Sequence, residues 1–304
     1  FLDLSKNLLD GRLPSCSRGF DTSTITLLKL NNNHILGAFP LFLQKCRELK
    51  LLDLAYNKFS GSLPTWIESK LPQLALLNLR SNVFSSGIPG QLTRMEGLQF
   101  LDIACSNISG NIPRSLGNLK AMTFTCNNSG GLSDLVNYGV VRKAMSVDAY
   151  TVEVDIKGQV LEYTKGMAYM VNLDFSSYSL TGRIPKEIGM LIALKNLNFS
   201  GTSLTDIIPQ RIGALHASES FDLSHNGLSG EIPTSLASLT SLAHLNLSYN
   251  NLTGTILSGN QLRTLDDQPS IYIGNPGLCG PPVSSNCSGA GITRRALEDD
   301  HEGM

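Results

Sequence analysis

The chain has 304 residues, of which 49 are leucine and 16% are charged, and its formal net charge is −1. This near balance of charge argues against a nucleic-acid-binding surface, which needs surplus Lys and Arg to neutralise phosphates. The 41% hydrophobic content excludes an intrinsically disordered chain, and no apolar run reaches the roughly 18 residues that a membrane-spanning helix needs.

A repeat with a period near 24 residues begins at the first residues of the chain. Its template is LxLxxNxLxGxIP, and clear copies run over residues 2–14, 52–64 and 221–233. Nine copies in fixed phase are the signature of a solenoid, in which stacked coils bury an apolar face that one coil cannot bury alone. The asparagine position of the template is occupied in chain order by Asn7, Asn33, Asn57, Asn82, Ser106, Tyr178, Thr202, Asn226 and Asn250.

Each position of the template has a physical role. Alternating leucines such as Leu28 and Leu30 form the inward face of a short strand, while Lys29 and Asn31 point outward. The inward asparagine supplies hydrogen-bond donors and an acceptor to the backbone where the coil bends. Gly and Pro then mark the turn onto the convex side, so the template predicts the course of each coil.

The spacing between the fifth and sixth copies is 72 residues, so an insertion of about two repeat lengths interrupts the array. Residues 121–167 differ from the repeat in composition, and the alternation over residues 150–156 predicts a strand. Such an island is either a tolerated surface loop or a ligand-binding element.

After the ninth copy, Cys279 and Cys287 lie in a loop-rich segment that we interpret as a cap over the last coil. We expect five domains or segments: repeats over 1–120 with an incomplete first copy, the island over 121–167, and four repeats over 168–257. A cysteine cap over 258–290 and an acidic tail over 291–304 would follow. Because the chain opens in the middle of a repeat, we interpret it as a fragment of a longer solenoid.

These features resemble the extracellular domain of plant leucine-rich-repeat receptor-like proteins. The resemblance depends on the Leu-x-Gly-x-Ile-Pro ending of the repeat, seen over residues 180–185, on an island four repeats before the end, and on the cap sequence over residues 274–280. It implies an α/β solenoid of the plant-type extracellular class, a right-handed superhelix with a concave parallel β-sheet interrupted by an island.

Cysteines and glycosylation motifs agree with a secreted chain. We expect a disulfide between Cys279 and Cys287, whereas Cys16 and Cys46 could pair or remain buried thiols, and Cys105 could pair with Cys126. The acceptor motif for N-glycosylation occurs at six positions. They are Asn107, Asn127, Asn198, Asn246, Asn251 and Asn286.

We find no arrangement of residues that indicates catalysis, a cofactor or a metal site. The cysteines lack zinc-ligand spacing, and Asp222, Ser224 and His225 are two template residues beside a variable one. The sequence therefore predicts a binding protein and not an enzyme.

The outward side chains beside the asparagine column are the candidate ligand-binding residues, because Tyr and Arg are frequent at the energetic centres of interfaces. With two residues of the island, they are Tyr56, Lys58, Arg80, Ser81, Lys157, Tyr163, His225 and Tyr249.

The resemblance implies a plasma-membrane receptor whose extracellular side binds a peptide or microbial protein, in defence or in development. It also implies recruitment of a co-receptor kinase of the somatic-embryogenesis receptor class through the last four repeats, and a membrane contact only through a segment outside this chain. Three alternatives remain: the ectodomain of a leucine-rich-repeat receptor kinase, a secreted inhibitor of the polygalacturonase-inhibiting type, and a truncated product.

Overall fold

A computed structural model describes residues 1–14, 23–124, 152–156, 159–163, 170–176, 179–257, 259–265 and 268–287. Nine parallel strands form one continuous sheet, and each strand defines one coil of the solenoid. Coils 1 to 9 contain in order the strands Leu2–Asp3, Leu27–Lys29, Leu51–Asp53, Leu76–Asn78, Phe100–Asp102, Asn172–Asp174, Asn196–Asn198, Ser220–Asp222 and His244–Asn246. We call this the concave sheet, and its topology agrees with the predicted leucine-rich-repeat solenoid.

Each coil continues from the concave sheet into a second, lateral strand. One lateral sheet contains Asp10–Arg12, His34–Gly37, Lys58–Ser62, Val83–Ser86 and Asn107–Ile108. The other contains Gly110–Asn111, Leu180–Gly182, Ser203–Ile207, Gly227–Glu231, Asn251–Thr255 and Gly277–Cys279. Both are parallel, so the coils remain in phase on two sides of the solenoid.

Short helices form the opposite, convex side. The 3-10 helices are Leu41–Lys45, Leu92–Arg94, Arg114–Asn118, Lys120–Met122, Lys186–Met190, Gln210–Ala214 and Thr234–Ser238. The α-helices Ile67–Lys70 and Asn260–Arg263 also lie on this side. The α-helix Gln268–Tyr272 lies instead beside the last concave strand, and its Ile271 carbonyl oxygen accepts from the Leu247 amide at 2.9 Å. Several follow a template proline such as Pro185, whose fixed φ of −65° suits the residue before the first turn. No helix within the described ranges is long and apolar enough to cross a bilayer.

The template leucines fill the space between the concave sheet and the convex helices. Leu52, Leu77 and Leu101, the middle residues of adjacent concave strands, are each 0% exposed. Their neighbours in each strand point the opposite way, because successive side chains of a strand alternate between its two faces. The first and third residues of each three-residue concave strand therefore face the concave side.

The asparagine column is a hydrogen-bonded ladder. The Asn57 side chain donates to the carbonyl oxygens of Leu30 (2.9 Å), Leu54 (3.1 Å) and Ala55 (3.1 Å), and its oxygen accepts from the Ile35 amide at 3.0 Å. One amide thus joins its own coil to the preceding coil. The same four-bond pattern recurs at Asn33, Asn82, Asn226, Asn250 and Asn275.

The ladder extends one step further than the nine copies expected from the sequence. Asn275, 25 residues after Asn250, donates to Leu247, Tyr272 and Ile273 and accepts from Leu252. The sequence signal was present, since the interval is almost one repeat, but Pro276 and the missing leucines hide it. The residue that we interpreted only as part of the cap is also a ladder residue.

The concave sheet continues across the insertion without a gap. Phe100 pairs with Asn172, and Asp102 pairs with Asp174, in the same parallel register as between ordinary coils. Of the intervening chain, Val152–Ile156 and Gln159–Tyr163 form an antiparallel pair, which we call the island hairpin. The predicted strand near residue 150 corresponds to its first strand.

The residue at the glycine position of the template, in or beside the lateral strand, has a left-handed backbone conformation. Gly61 (φ +82°), Gly110 (+85°) and Gly182 (+80°) adopt it, and so do Ser86 (+74°) and Asp206 (+72°), which stand at the glycine position. The two substituted coils therefore keep the conformation of the others. Ser86 and Asp206 lower the stability of their coils, because a left-handed conformation is unfavourable for residues other than glycine.

We expect Ser86→Gly to raise the free energy of unfolding by about 1 kcal/mol, because the change relieves a left-handed backbone without removing buried surface. The matched control is Ser85→Gly in the same strand, which should lower stability by about 0.5–1 kcal/mol through added chain entropy. Urea denaturation of the three proteins checks this, and equal effects of the two substitutions would contradict it.

Candidate binding face

Four of the predicted site residues share one backbone conformation. Tyr56, Ser81, His225 and Tyr249 each precede a ladder asparagine and have φ between +52° and +54°. Unusual backbone often marks a functional site. Here it occurs at the same position in coils 1, 2 and 5 as well, at Lys6, Asn32 and Cys105. It therefore belongs to the turn of each coil in which the structure describes this position, and does not by itself distinguish a binding residue.

His225 and Tyr249 come together as an exposed aromatic pair. Their rings stack 4.4 Å apart with an interplanar angle of 15°, and Tyr249 keeps 49% of its surface exposed. The backbone amide of Tyr249 donates to the Ile273 carbonyl oxygen at 2.7 Å. Two coils and the segment after them thus hold one flat aromatic surface open to solvent.

Gly274 supports this pair from the cap side. It has φ +76°, and a Cβ added to it would lie 2.6 Å from Cδ1 of Tyr249. Only glycine allows this approach, so the Tyr249 ring rests directly on backbone. An aromatic residue fixed in this way loses little side-chain entropy on binding, which favours a contribution to affinity.

Arg80 lies in a buried charged cluster on the concave side. Its Nη1 contacts Asp102 Oδ2 at 3.2 Å and Asp174 Oδ2 at 3.0 Å, and Arg80 is 6% exposed. The two carboxylates are paired residues of coils 5 and 6, on either side of the insertion. Asn198 donates to Asp174 Oδ2 at 3.2 Å and extends the cluster to coil 7. Arg80 therefore links coils before and after the insertion.

Burial changes the ionisation of this cluster. It raises the pKa of Asp102 to about 7, the neighbouring Asp174 charge adds to the rise, and the Arg80 guanidinium opposes it. Burial also raises the pKa of Asp174, against the opposing effects of Arg80 and of hydrogen bonds from Ser176. The two carboxylates titrate as one interacting pair, because a charge on either disfavours a charge on the other.

The remaining predicted site residues lie apart from these two groups. Lys58 is exposed at the start of its lateral strand, and Tyr56 and Ser81 are half-buried in coils 3 and 4. Tyr163 ends the island hairpin opposite Val152, and Lys157 lies outside the described residues. The structure thus brings His225 to Tyr249 and Arg80 to a carboxylate pair. Asp102 and Asp174 were not among the predicted site residues, and no spacing rule connects Arg80 to a residue 94 positions away.

The cysteine and glycosylation positions differ in accessibility. Cys279 and Cys287 form a disulfide with Cα atoms 5.0 Å apart, as expected, while Cys105 is exposed and Cys46 is buried. Asn107, Asn251 and Asn286 are exposed, whereas Asn198 and Asn246 are half-buried and donate to Asp174 and Asp222. Cys16, Cys126 and Asn127 lie outside the described residues.

Comparison with known sequences identifies the repeat. The profile of the Leucine Rich Repeat family matches residues 48–69, 97–119, 219–239 and 241–270. "Receptor-like protein 14" of Arabidopsis thaliana is 49% identical over 286 residues, which cover 88% of this chain and 29% of that protein. "Receptor-like protein EIX1" of Solanum lycopersicum is 41% identical over 151 residues, 49% of this chain and 14% of that protein. The chain thus spans less than a third of either relative.

Solved structures share the fold. The PEPR1-AtPEP1 complex has a TM-score of 0.58 at 27% identity, covering 90% of this chain and 35% of that one. A plant ice-binding protein has a TM-score of 0.66 at 24% identity, covering 95% of this chain and 76% of that one, and shows the fold alone. These matches confirm the predicted leucine-rich-repeat solenoid and the resemblance to plant receptor-like proteins.

We expect Arg80→Ala to lower the free energy of unfolding by about 3 kcal/mol or more, because it leaves two buried carboxylates without their guanidinium. Lys58→Ala, which truncates an exposed basic side chain in the preceding coil, should change stability by less than about 0.5 kcal/mol. Chemical denaturation of both variants checks this. Equal stabilities would mean that the Arg80 cluster contributes nothing to folding.

The raised pKa of Asp102 predicts a pH dependence with a definite sign. The folded protein holds a proton between pH 4 and about 7 that the unfolded chain releases, so stability falls as pH rises through this range. Asp102→Asn should reduce the slope of the unfolding free energy against pH by up to about 1.4 kcal/mol per pH unit. Unfolding measured across this range should show no such flattening for Asp206→Asn, which changes an exposed carboxylate. An unchanged slope in Asp102→Asn would contradict the assignment.

Proposed function

We propose that this chain, a leucine-rich-repeat protein similar to plant receptor-like proteins, recognises a ligand outside the cell as part of a plant cell-surface receptor. The observation that carries the proposal is the exposed His225–Tyr249 stack in coils 8 and 9. A flat aromatic surface held by backbone is the kind of feature that anchors a peptide or protein partner. Nothing in the proposal requires the chain to make or break a covalent bond.

The shape and chemistry of the concave side support the proposed ligand class. Parallel coils present an extended surface that suits an extended peptide or a protein edge. In the same two coils, Asp222 and Asn246 are half-buried and joined by a hydrogen bond of 3.3 Å, so polar groups accompany the aromatic pair. We propose a peptide or a microbial protein as ligand, with a role in defence. PEPR1, which shares the fold, is bound to AtPEP1 in its solved structure.

A second partner completes the proposed mechanism. We place a co-receptor kinase of the somatic-embryogenesis receptor class against the lateral strands of the last four repeats. Ile207, 54% exposed, together with the exposed Asp206 and Glu231, offers an apolar centre with charged neighbours on that side. In this arrangement the occupied ectodomain and the co-receptor bind one ligand from two sides.

The plant ice-binding protein with the same fold represents a different function class. The fold does not decide between the two, because function depends on the site that a fold carries. The aromatic pair and its polar neighbours favour recognition of a peptide or protein.

The test uses the chain as purified protein and a displayed library of secreted plant peptides and microbial proteins. For each binder recovered, Tyr249→Ala should weaken the affinity about thirty-fold, the loss of a typical aromatic anchor of about 2 kcal/mol. The control is Met190→Ala, which removes an exposed apolar side chain (44% exposed) from the convex side. Binders whose affinity is insensitive to Tyr249→Ala, or lost equally in Met190→Ala, would contradict the proposed site.

A further inference from the structure

One row of the concave sheet is apolar in coils 2 to 5 and polar in the later coils. Leu27, Leu51, Leu76 and Phe100 occupy the first position of their strands and are aligned by the sheet register. We call these four residues the apolar row. Asn172 follows Phe100 in register, and the same position is then polar in coils 7 to 9. The change from apolar to polar coincides with the insertion.

The concave side of coils 2 to 5 is excluded from water. The third strand position faces this side throughout, yet Lys29 (7% exposed), Asp53 (1%) and Asn78 (1%) are buried. The equivalent Asp222 and Asn246 of coils 8 and 9 are half-buried. The apolar row is buried too, between 1% for Phe100 and 6% for Leu27. Outward side chains of this size are buried only where something covers them, so part of this chain covers these coils.

The island hairpin has a matching buried residue. Val154 is 1% exposed, whereas Gln159, which lies on the same face at the turn end of the hairpin, is exposed. A two-stranded hairpin cannot bury a side chain by itself and is marginal without a packing partner. Val154 and the apolar row lie outside the hydrophobic core between the concave sheet and the convex helices. Both are apolar surfaces that are buried without belonging to that core.

The dimensions and the attachment of the hairpin fit the row. Three strand spacings separate Leu27 from Phe100, about 15 Å, and a five-residue strand is about 13–17 Å long. The chain leaves the solenoid after coil 5 and returns at coil 6, beside Phe100 at one end of the row. A hairpin attached there can lie along the whole row.

We propose that the island hairpin packs with its Val154 side on the apolar row and occupies the concave side of coils 2 to 5. Its consequence for the proposed function is that ligand reaches the concave side at coils 7 to 9, where His225 and Tyr249 are exposed. The packing itself requires no ligand, so it can be tested independently of the proposed ligand recognition.

The test is carbene footprinting of the full chain and of a variant that lacks the insertion. Removing residues 123–170, 48 residues, reduces the 72-residue interval between Ser106 and Tyr178 to 24, the ordinary repeat spacing. Met122 then joins Val171 in a regular coil. Labelling of Leu51, Leu76 and Phe100 should rise in this variant toward that of Leu8, which is 83% exposed. Unchanged labelling would overturn the proposal.

A point substitution distinguishes the hairpin from the rest of the insertion. Val154→Asp places a carboxylate at the buried position and should raise labelling of the apolar row as the deletion does, while Gln159→Asp should not. Labelling of the core residue Leu52 reports whether the solenoid remains folded. A rise in the deletion variant without a rise in Val154→Asp would assign the cover to another part of the insertion, and would equally overturn the proposal.

Discussion

The structure depends on hydrogen bonds to the backbone at the bend of each coil. There the chain turns its amide and carbonyl groups inward, where water cannot reach them, and an unpaired buried group costs about 1–3 kcal/mol. The ladder side chains pair these groups in two coils at once, as Asn57 does for Leu30 and Leu54. Because each ladder asparagine bonds the backbone of its own coil and of the preceding coil, neighbouring coils cannot shift relative to one another. The fixed alignment of the coils in turn sets the register of the concave and lateral sheets.

The concave sheet keeps this phase across the long insertion. Phe100 and Asn172 pair as if they belonged to consecutive repeats, and Asp102 and Asp174 continue the same register. Where the asparagine is replaced, the bonding is reduced but the phase is kept: Thr202 donates to the Phe199 carbonyl oxygen at 3.0 Å and also bonds the Asn226 side chain. The solenoid therefore tolerates weaker rungs beside the insertion because its neighbours hold the register.

The repeat, its inward leucines and the ladder could be predicted from the sequence, because each is a local pattern with one physical cause. His225 and Tyr249 could be chosen as candidates for the same reason, although their stacking depends on Gly274. The burial and ion pairs of Arg80 could not be predicted. Its partner Asp174 lies beyond the insertion, and its burial depends on what covers the concave side. Contacts between distant segments, and not the repeat itself, decide which outward residues remain available to a ligand.

The Arg80 cluster also bears on how this solenoid can change over generations. Repeat arrays lengthen and shorten by duplication or loss of whole units, and a coil that contacts only its neighbours survives such an exchange. Arg80 contacts carboxylates of the next two coils, so adding or removing a unit between coils 4 and 6 separates the guanidinium from at least one buried charge. Gain or loss of a unit is therefore unfavourable across these three coils, because it leaves a buried charge without its partner.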